Sequence, residues 1–154
     1  MSKIMPCLWF DDRIEEATRF YSEVFPDAEI RHLQRLPDGK VLTARFRLFD
    51  QEFMALNGGP QFPFTEAVSF FISTRDQAET DYYWEKLTSG GGQESMCGWV
   101  KDRFGLSWQI VPEALPRLIG GPDPAGAGRA MQAMLKMRKI DIAALEKAYQ
   151  GTDA

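Results

Sequence analysis

The sequence of 154 residues predicts an α+β protein with two successive βαβββ modules and a C-terminal helical extension. Three observations support this fold class. A short apolar strand, an amphipathic helix and three further strands follow one another, and the same order starts again about 62 residues later. Beyond Pro112 the pattern changes to a linker and helical periodicity. We place the modules at residues 1–62 and 66–112 and the extension at 123–150, in one compact domain.

The first module starts with an apolar strand at residues 5–10. Asp12 is positioned to cap the next helix, with Glu15 at the capping-box position, and Pro26 ends that helix. Apolar residues recur at helical spacing in between, which predicts one buried helix face. Three strands separated by turns of glycine, proline and aspartate then indicate an antiparallel meander. These strands are predicted at residues 29–36, 41–49 and 52–57.

The second module repeats this order. A strand at residues 67–73 leads into a helix for which Thr74 and Gln77 form a capping box. That helix extends to about residue 89, where three consecutive glycines indicate a C-cap and a loop. The last three strands are predicted at residues 93–97, 98–101 and 106–111.

The extension has no counterpart in the first module. After a linker at residues 120–124, periodicity predicts a helix from about Gly128 to Met137, and Asp141 is positioned to cap a last short helix. These helices either cover apolar surface of the protein or clasp a second subunit. We favour the first interpretation.

The composition excludes several classes of function. A net charge of −4 argues against nucleic acid as a partner, because such a partner requires a basic face. No segment approaches the roughly 20 apolar residues that span a bilayer, and no signal peptide is recognisable, so we expect a cytoplasmic protein without membrane contact. Two cysteines and one histidine provide neither a disulfide framework nor zinc-site spacing. We therefore expect no metal and no cofactor.

Several stretches of the chain resemble one protein family closely. They are PCLWFD at residues 6–11, QEFMALNGGP at 51–60, CGWVKDRFGLSWQIVP at 97–112, MLKM at 134–137 and KIDIA at 139–143. Together they are similar to the PhnB-like group, also called the 3-demethylubiquinone-9 3-methyltransferase family, within the vicinal-oxygen-chelate (glyoxalase/bleomycin-resistance) superfamily. The resemblance covers nearly the whole chain.

This resemblance implies the glyoxalase/bleomycin-resistance fold, in which each sheet curls into a half-cup and paired half-cups enclose a small-molecule cavity. It also implies a homodimer. Metal-dependent relatives hold a divalent ion through the first and last strands of each module. The corresponding positions in this chain are Met5 or Pro6, Ala67, Met54 and Gln109. Because only Gln109 offers a donor oxygen, and a neutral amide is a poor lone ligand for a hard cation, the resemblance here predicts a metal-free cavity.

Strand alternation identifies the residues that we expect to line this cavity. Ser107, Gln109 and Val111 face one way on the last strand, while Trp108 packs beneath the helices. The predicted ligand-binding residues are Cys7, Trp9, Met54, Ser69, Phe71, Trp99 and Gln109. Mostly apolar and aromatic walls with a few polar groups suit a partly aromatic small molecule. The alternatives remain that the aromatic residues belong to the core and that the cysteines are small buried hydrophobic residues.

Three functions are compatible with this sequence. The first, which we favour, is a metal-independent small-molecule-binding protein. The second is an enzyme, either the methyltransferase of the family's description or a metal-independent lyase or isomerase; no cluster of residues identifies a catalytic group. The methyltransferase is disfavoured because the first strand-to-helix turn, Asp11-Asp12-Arg13, lacks glycine. The third is a dimeric scaffold whose cavity is filled by its own side chains.

Overall fold

The computed structural model describes residues 2–152, and the chain divides into two compact units at residues 1–64 and 65–154. The elements of the first unit are β1 (Cys7–Phe10), α1 (Ile14–Val24), β2 (Glu29–Arg35), β3 (Val41–Leu48) and β4 (Gln51–Asn57). Those of the second are β5 (Ser69–Thr74), α2 (Gln77–Thr88), β6 (Gln93–Glu94), β7 (Trp99–Lys101), β8 (Ser107–Pro112), α3 (Ala114–Ile119), α4 (Pro124–Met134) and α5 (Ile142–Gln150). Within residues 2–152, no helix is long and apolar enough to cross a membrane.

The two sheets have the same topology. Their strand orders are β1-β4-β3-β2 and β5-β8-β7-β6. In each sheet the first and last strands of the module pair in parallel, and the other neighbours pair in antiparallel fashion. The predicted α+β class with paired βαβββ modules and C-terminal helices is therefore confirmed.

In the first unit, α1 packs against one face of its sheet. Apolar residues recur along one side of the helix and at every second position of the strands, so each element presents an apolar surface to the other. Tyr21 of the helix stacks on Phe46 of β3 with ring centroids 6.1 Å apart, and Phe46 stacks on Phe53 of β4 at 5.2 Å. All three side chains are buried. We call the sheet face opposite the helix the open face of each unit.

The second unit is held together partly by a buried carboxylate. Asp102, only 2% exposed, accepts hydrogen bonds from the backbone N–H groups of Phe104 and Leu106 and from Nε1 of Trp108, at 2.9 to 3.1 Å. Trp108 thus lies on the buried face of β8, as its place in the strand alternation predicts. These bonds fix the turn that connects β7 and β8.

The C-terminal helices share a core with the end of β8. The buried members of this cluster are Val111, Ala114, Leu115, Leu118, Ala130, Ile140 and Leu145. The predicted helix at about 128–137 is shifted: α4 begins at Pro124, capped by Asp123, and ends at Met134. Proline at the first helical position after an aspartate cap is favourable, so the helix begins at Pro124, the last residue of the predicted linker. Asp141 caps α5 as predicted, accepting from the N–H of Ala144 at 3.1 Å.

The N-terminal caps of the other two long helices were predicted incorrectly. Asp12 has a positive φ of 60°, and the N-cap of α1 is Arg13, whose side chain makes no capping bond. The N–H of Ile14 instead donates to Oδ1 of Asn57 at 3.3 Å. That acceptor comes from a distant strand, which local spacing cannot reveal.

The α2 cap lies two residues after its predicted position. Asp76 accepts from the N–H of Glu79 at 2.9 Å, and the Glu79 side chain accepts from the N–H of Arg75. The Thr74 hydroxyl is instead hydrogen-bonded to that of Thr80 at 2.7 Å, and both side chains are fully buried. Asp76 and Glu79 therefore cap α2 in place of Thr74 and Gln77, and Glu79 bonds the N–H of the residue before the N-cap where a capping box would use that of the N-cap itself.

Candidate functional site

The open face of the second unit carries a cross-strand row of polar residues. Ser69 of β5 pairs with Ser107 of β8, Ser107 pairs with Lys101 of β7, and Lys101 pairs with Gln93 of β6. Residues directly opposite in neighbouring strands lie on the same face of a sheet. Ser107, at the centre of this row, therefore lies between Ser69 and Lys101 on one face of the sheet.

The next row on this face contains the predicted site residues Phe71, Gln109 and Trp99, which are paired neighbours in the register. Nε2 of Gln109 donates to the Ser69 hydroxyl oxygen at 3.0 Å, so these two side chains form one hydrogen-bonded polar pair. Phe71 is 60% exposed, whereas Trp99 and Gln109 are half-buried. Four of the seven predicted site residues thus lie together on one surface.

A cavity of about 220 Å³ opens beside these rows, and we call it the Ser107 cavity. It is lined by Glu66, Gln93, Glu94, Ser95, Trp99, Val100, Lys101 and Ser107. Its volume is below the roughly 300–1,000 Å³ typical of sites for drug-sized ligands. The cavity therefore suits a molecule with a single ring, or one end of a larger molecule.

The hydroxyl of Ser107 is an unsatisfied polar group in this cavity. The residue has 0% exposure, and within the described part of the chain its Oγ has no hydrogen-bond partner. A buried hydroxyl left without a partner costs about 1–3 kcal/mol. Because the Ser107 hydroxyl is closed to solvent, a ligand atom reaches it only when a lining side chain moves aside. A bond formed in that way would recover part of the cost, so this position favours a polar ligand atom.

The charged side chains that line the Ser107 cavity differ in how firmly their partners hold them. Nζ of Lys101 forms an ion pair with Oε1 of Glu66, and this hydrogen bond is the main reason that the pKa of Glu66 lies below its ordinary value. Glu94 is engaged on the other side: Oε1 accepts from Nε1 of Trp84 at 2.6 Å, and Oε2 lies 3.8 Å from Nη1 of Arg138. The partner of Lys101, Glu66, is solvent-exposed. Glu94, in contrast, is held by both Trp84 and Arg138.

The other three predicted site residues lie on the open face of the first unit. Cys7 pairs with Met54 in the register, and Trp9 pairs with Leu56. Trp9 is held by a loop of its own unit: its Nε1 donates to the Gly59 carbonyl at 2.8 Å. Gly58 is required beneath it, because a Cβ there would lie 2.3 Å from the indole ring.

The two cysteines and the histidine have no geometry that suggests catalysis. Partial burial raises the pKa of the exposed Cys7 thiol, which disfavours the nucleophilic thiolate. His32 is exposed on β2, opposite Arg45 of β3. Cys97 is half-buried in a turn and adopts a positive φ of 59°.

The ends of the parallel strand pairs give the equivalence of the two last strands. The N–H of Gly58 donates to the carbonyl of Phe10 after β4, and the N–H of Glu113 donates to that of Thr74 after β8. Gly58 therefore corresponds to Glu113 and, four residues earlier, Met54 corresponds to Gln109. The sequence pattern puts Ser107 on the same face as Gln109, but it gives no reason to include Ser107 or Lys101 in the site. The antiparallel pairing of β7 and β8 was the signal that could have found Lys101.

A comparison with protein-family models gives one match, to the family described as 3-demethylubiquinone-9 3-methyltransferase, over residues 2–111. The chain belongs to this family. The predicted membership of the PhnB-like family is thereby confirmed. A search of curated proteins finds no match.

Solved structures include relatives of this PhnB-like chain. A Bacillus cereus protein described as a putative 3-demethylubiquinone-9 3-methyltransferase, PhnB protein, has 31% identity and a TM-score of 0.67, covering 72% of this chain and 99% of its own. Protein PA1353 from Pseudomonas aeruginosa has 20% identity and a TM-score of 0.61, covering 73% and 98%. The fosfomycin resistance protein FosX from Listeria monocytogenes, solved with Mn(II) and sulfate, has 17% identity and a TM-score of 0.52, covering 70% and 88%. The last two likenesses show the fold alone.

The residues at the superfamily's metal-ligand positions do not fit a divalent cation. Met5, Pro6, Met54 and Ala67 supply no side-chain oxygen or imidazole donor, and Gln109 offers a single neutral amide oxygen. Nor do the described residues, 2–152, contain three His, Cys, Asp or Glu side chains grouped closely enough to hold an ion.

Proposed function

We propose that this PhnB-like chain binds a small, partly aromatic molecule on the open face of its second unit, without a metal ion. The observation that carries the proposal is the unsatisfied Ser107 hydroxyl in a cavity of about 220 Å³. Trp99 provides an aromatic wall there, and Ser69 with Gln109 adds a polar point beside it. Few polar groups beside an aromatic wall match the general composition of small-molecule sites.

Metal independence is part of the proposal because of the donor chemistry. The ligand positions offer thioethers and an amide in place of imidazoles and carboxylates. Such groups do not polarise a substrate through a bound divalent ion, so recognition would depend on the protein's own hydrogen-bond donors and aromatic surfaces.

The test is a thermal-shift screen with benzoate, benzamide and benzylamine in the presence of EDTA. We expect at least one of these single-ring probes to raise Tm, because a ligand at 100 times its Kd stabilises the folded state by about 2.7 kcal/mol. Stabilisation that requires added Mn(II) or Zn(II) would contradict metal independence. Stabilisation by S-adenosylmethionine alone would support the methyltransferase function instead, and no response to any compound would support the scaffold.

We also propose that two copies of the chain associate as a homodimer. Val68, just before β5, and Phe71 of β5 are 63% and 60% exposed. Large exposed apolar side chains are a common feature of association sites. This proposal concerns the second unit only and is tested separately from ligand binding.

A further inference from the structure

The Ser107 cavity is lined by a lysine and, at the neighbouring position of the sheet, by a serine whose hydroxyl is unsatisfied. Lys101 and Ser107 are directly opposite in the antiparallel pairing of β7 and β8, on the same face, and both line the cavity. Ser107 has 0% exposure and Oγ has no hydrogen-bond partner within the described residues. A hydroxyl can donate to an anion that an adjacent ammonium group attracts, so this pair matches the requirements of an oxyanion.

Glu66, the ion-pair partner of Lys101, can be replaced by the anionic group of a ligand. Glu66 precedes β5, and its side chain is 58% exposed, whereas Lys101 belongs to a strand within the sheet. Exposed ion pairs contribute little to stability, so another carboxylate can replace Glu66 at small cost. The second carboxylate of the cavity, Glu94, is already engaged by Trp84 and Arg138 and does not compete for Lys101.

We infer that the Ser107 cavity binds the oxyanion of a small aromatic carboxylate or phosphonate. The Lys101 ammonium and the Ser107 hydroxyl donate to the oxyanion, the ring lies along Trp99, and the Glu66 side chain moves away from Lys101. The inference rests on the proposed function and adds the charge class of the ligand to it.

The test compares the affinities of benzoate, benzamide and benzylamine, which share a ring and differ in charge, by isothermal titration calorimetry in EDTA. We expect benzoate to bind at least about tenfold more tightly than benzamide, since bonds to charged groups are the stronger ones. Lys101→Met should weaken benzoate binding by about tenfold and leave benzamide binding within about twofold. Glu66→Gln should tighten benzoate binding, because it removes the competing carboxylate.

Lys147→Met is the matched control, since it removes the same charge from an exposed position on α5. It should leave benzoate affinity unchanged. Phenylphosphonate, titrated into the same variants as benzoate, shows whether the cavity prefers a phosphonate or a carboxylate. Lys101→Gln provides a second variant if the methionine variant folds poorly.

Three results would overturn the inference in distinguishable ways. If benzamide binds as tightly as benzoate and Lys101→Met changes neither, the oxyanion inference is wrong and small-molecule binding stands. If benzylamine binds best, the carboxylates of the cavity hold a ligand cation instead. If none of the four probes binds, the proposed function fails together with the inference.

Discussion

Ser107 combines complete burial with a hydroxyl that has no partner among residues 2–152, a combination that folded proteins usually avoid. Its neighbour in the parallel pairing, Ser69, is half-buried and accepts a hydrogen bond from Gln109. Two serines at adjacent positions of one sheet therefore differ in whether their hydroxyls are hydrogen-bonded. The difference follows from packing around each hydroxyl, which residue identity alone does not predict.

Replacing Ser107 with alanine should therefore stabilise the ligand-free protein. Removing an unsatisfied buried hydroxyl is expected to raise the free energy of unfolding by about 1 kcal/mol, measured by urea denaturation. Ser69→Ala is the matched control and should lower stability by about 0.5–1.5 kcal/mol, because it removes a formed hydrogen bond. Equal destabilisation by both substitutions would show that Ser107 has a partner in solution.

The ion pair between Lys101 and Glu66 predicts a pH dependence with a defined sign. Because Lys101 lowers the pKa of Glu66 in the folded state, the pair's contribution is present above the unfolded pKa, near about 4.3, and is lost as pH falls through the lower folded pKa. Lys101→Met should raise the pKa of Glu66 towards its ordinary value, as measured by NMR titration of the carboxyl carbon. An unchanged pKa would mean that the two side chains do not meet in solution.

At the scale of elements, local patterns explain more of the fold than of the site. The alternation of apolar residues identified the buried faces of β1 and β8, since a strand's period of two residues is a local property. Helix starts were less accurate, because the α1 start is bonded by Asn57 from β4. The exchangeable partner of Lys101 was likewise invisible, since Glu66 and Lys101 meet only once the sheet has formed.

One glutamine connects α2 to the C-terminal helices. Oε1 of Gln77 accepts from the N–H of Ile142 at 2.8 Å, and its Nε2 donates to the carbonyl of Ile140 at 3.0 Å and to Oδ1 of Asp81. Ile140 itself is fully buried. The side chain thus satisfies two backbone groups at the start of α5, where helix N–H groups otherwise lack partners.

Gln77→Leu should lower the free energy of unfolding by about 1–3 kcal/mol, since it leaves those backbone groups unpaired. Hydrogen exchange should become faster in α5 than in β1–β4. Gln132→Leu, at an exposed position of α4, is the control and should change neither quantity. Equal effects of both substitutions would show that Gln77 does not hold the extension.

At the scale of the whole molecule, repetition of one module predicted the fold, because the order of elements recurs even where residue identity does not. The same repetition could not predict the function of each sheet. Equivalent positions carry Met54 in the first unit and Gln109 in the second, so the two open faces differ chemically. Family membership fixes the architecture, whereas the ligand depends on these individual side chains.

The proposed homodimer predicts a mass twice that of one chain at micromolar concentration, measured by light scattering after size-exclusion chromatography. Phe71→Ser should weaken this association by removing an exposed aromatic contact. Leu135→Ser tests the C-terminal extension as the alternative contact surface, since Leu135, just after α4, is 50% exposed. Dissociation by Leu135→Ser but not by Phe71→Ser would assign the contact to the extension, and a monomeric native protein would contradict the dimer.

The most direct test of metal-free binding at the Ser107 cavity is a benzoate titration followed by ¹⁵N–¹H correlation spectra in the presence of EDTA. The account predicts shift changes concentrated at the amides of Lys101 and Ser107 and at the Trp99 indole N–H, with no added metal. Changes confined to residues outside the cavity, or changes that appear only after a divalent metal is supplied, would contradict it.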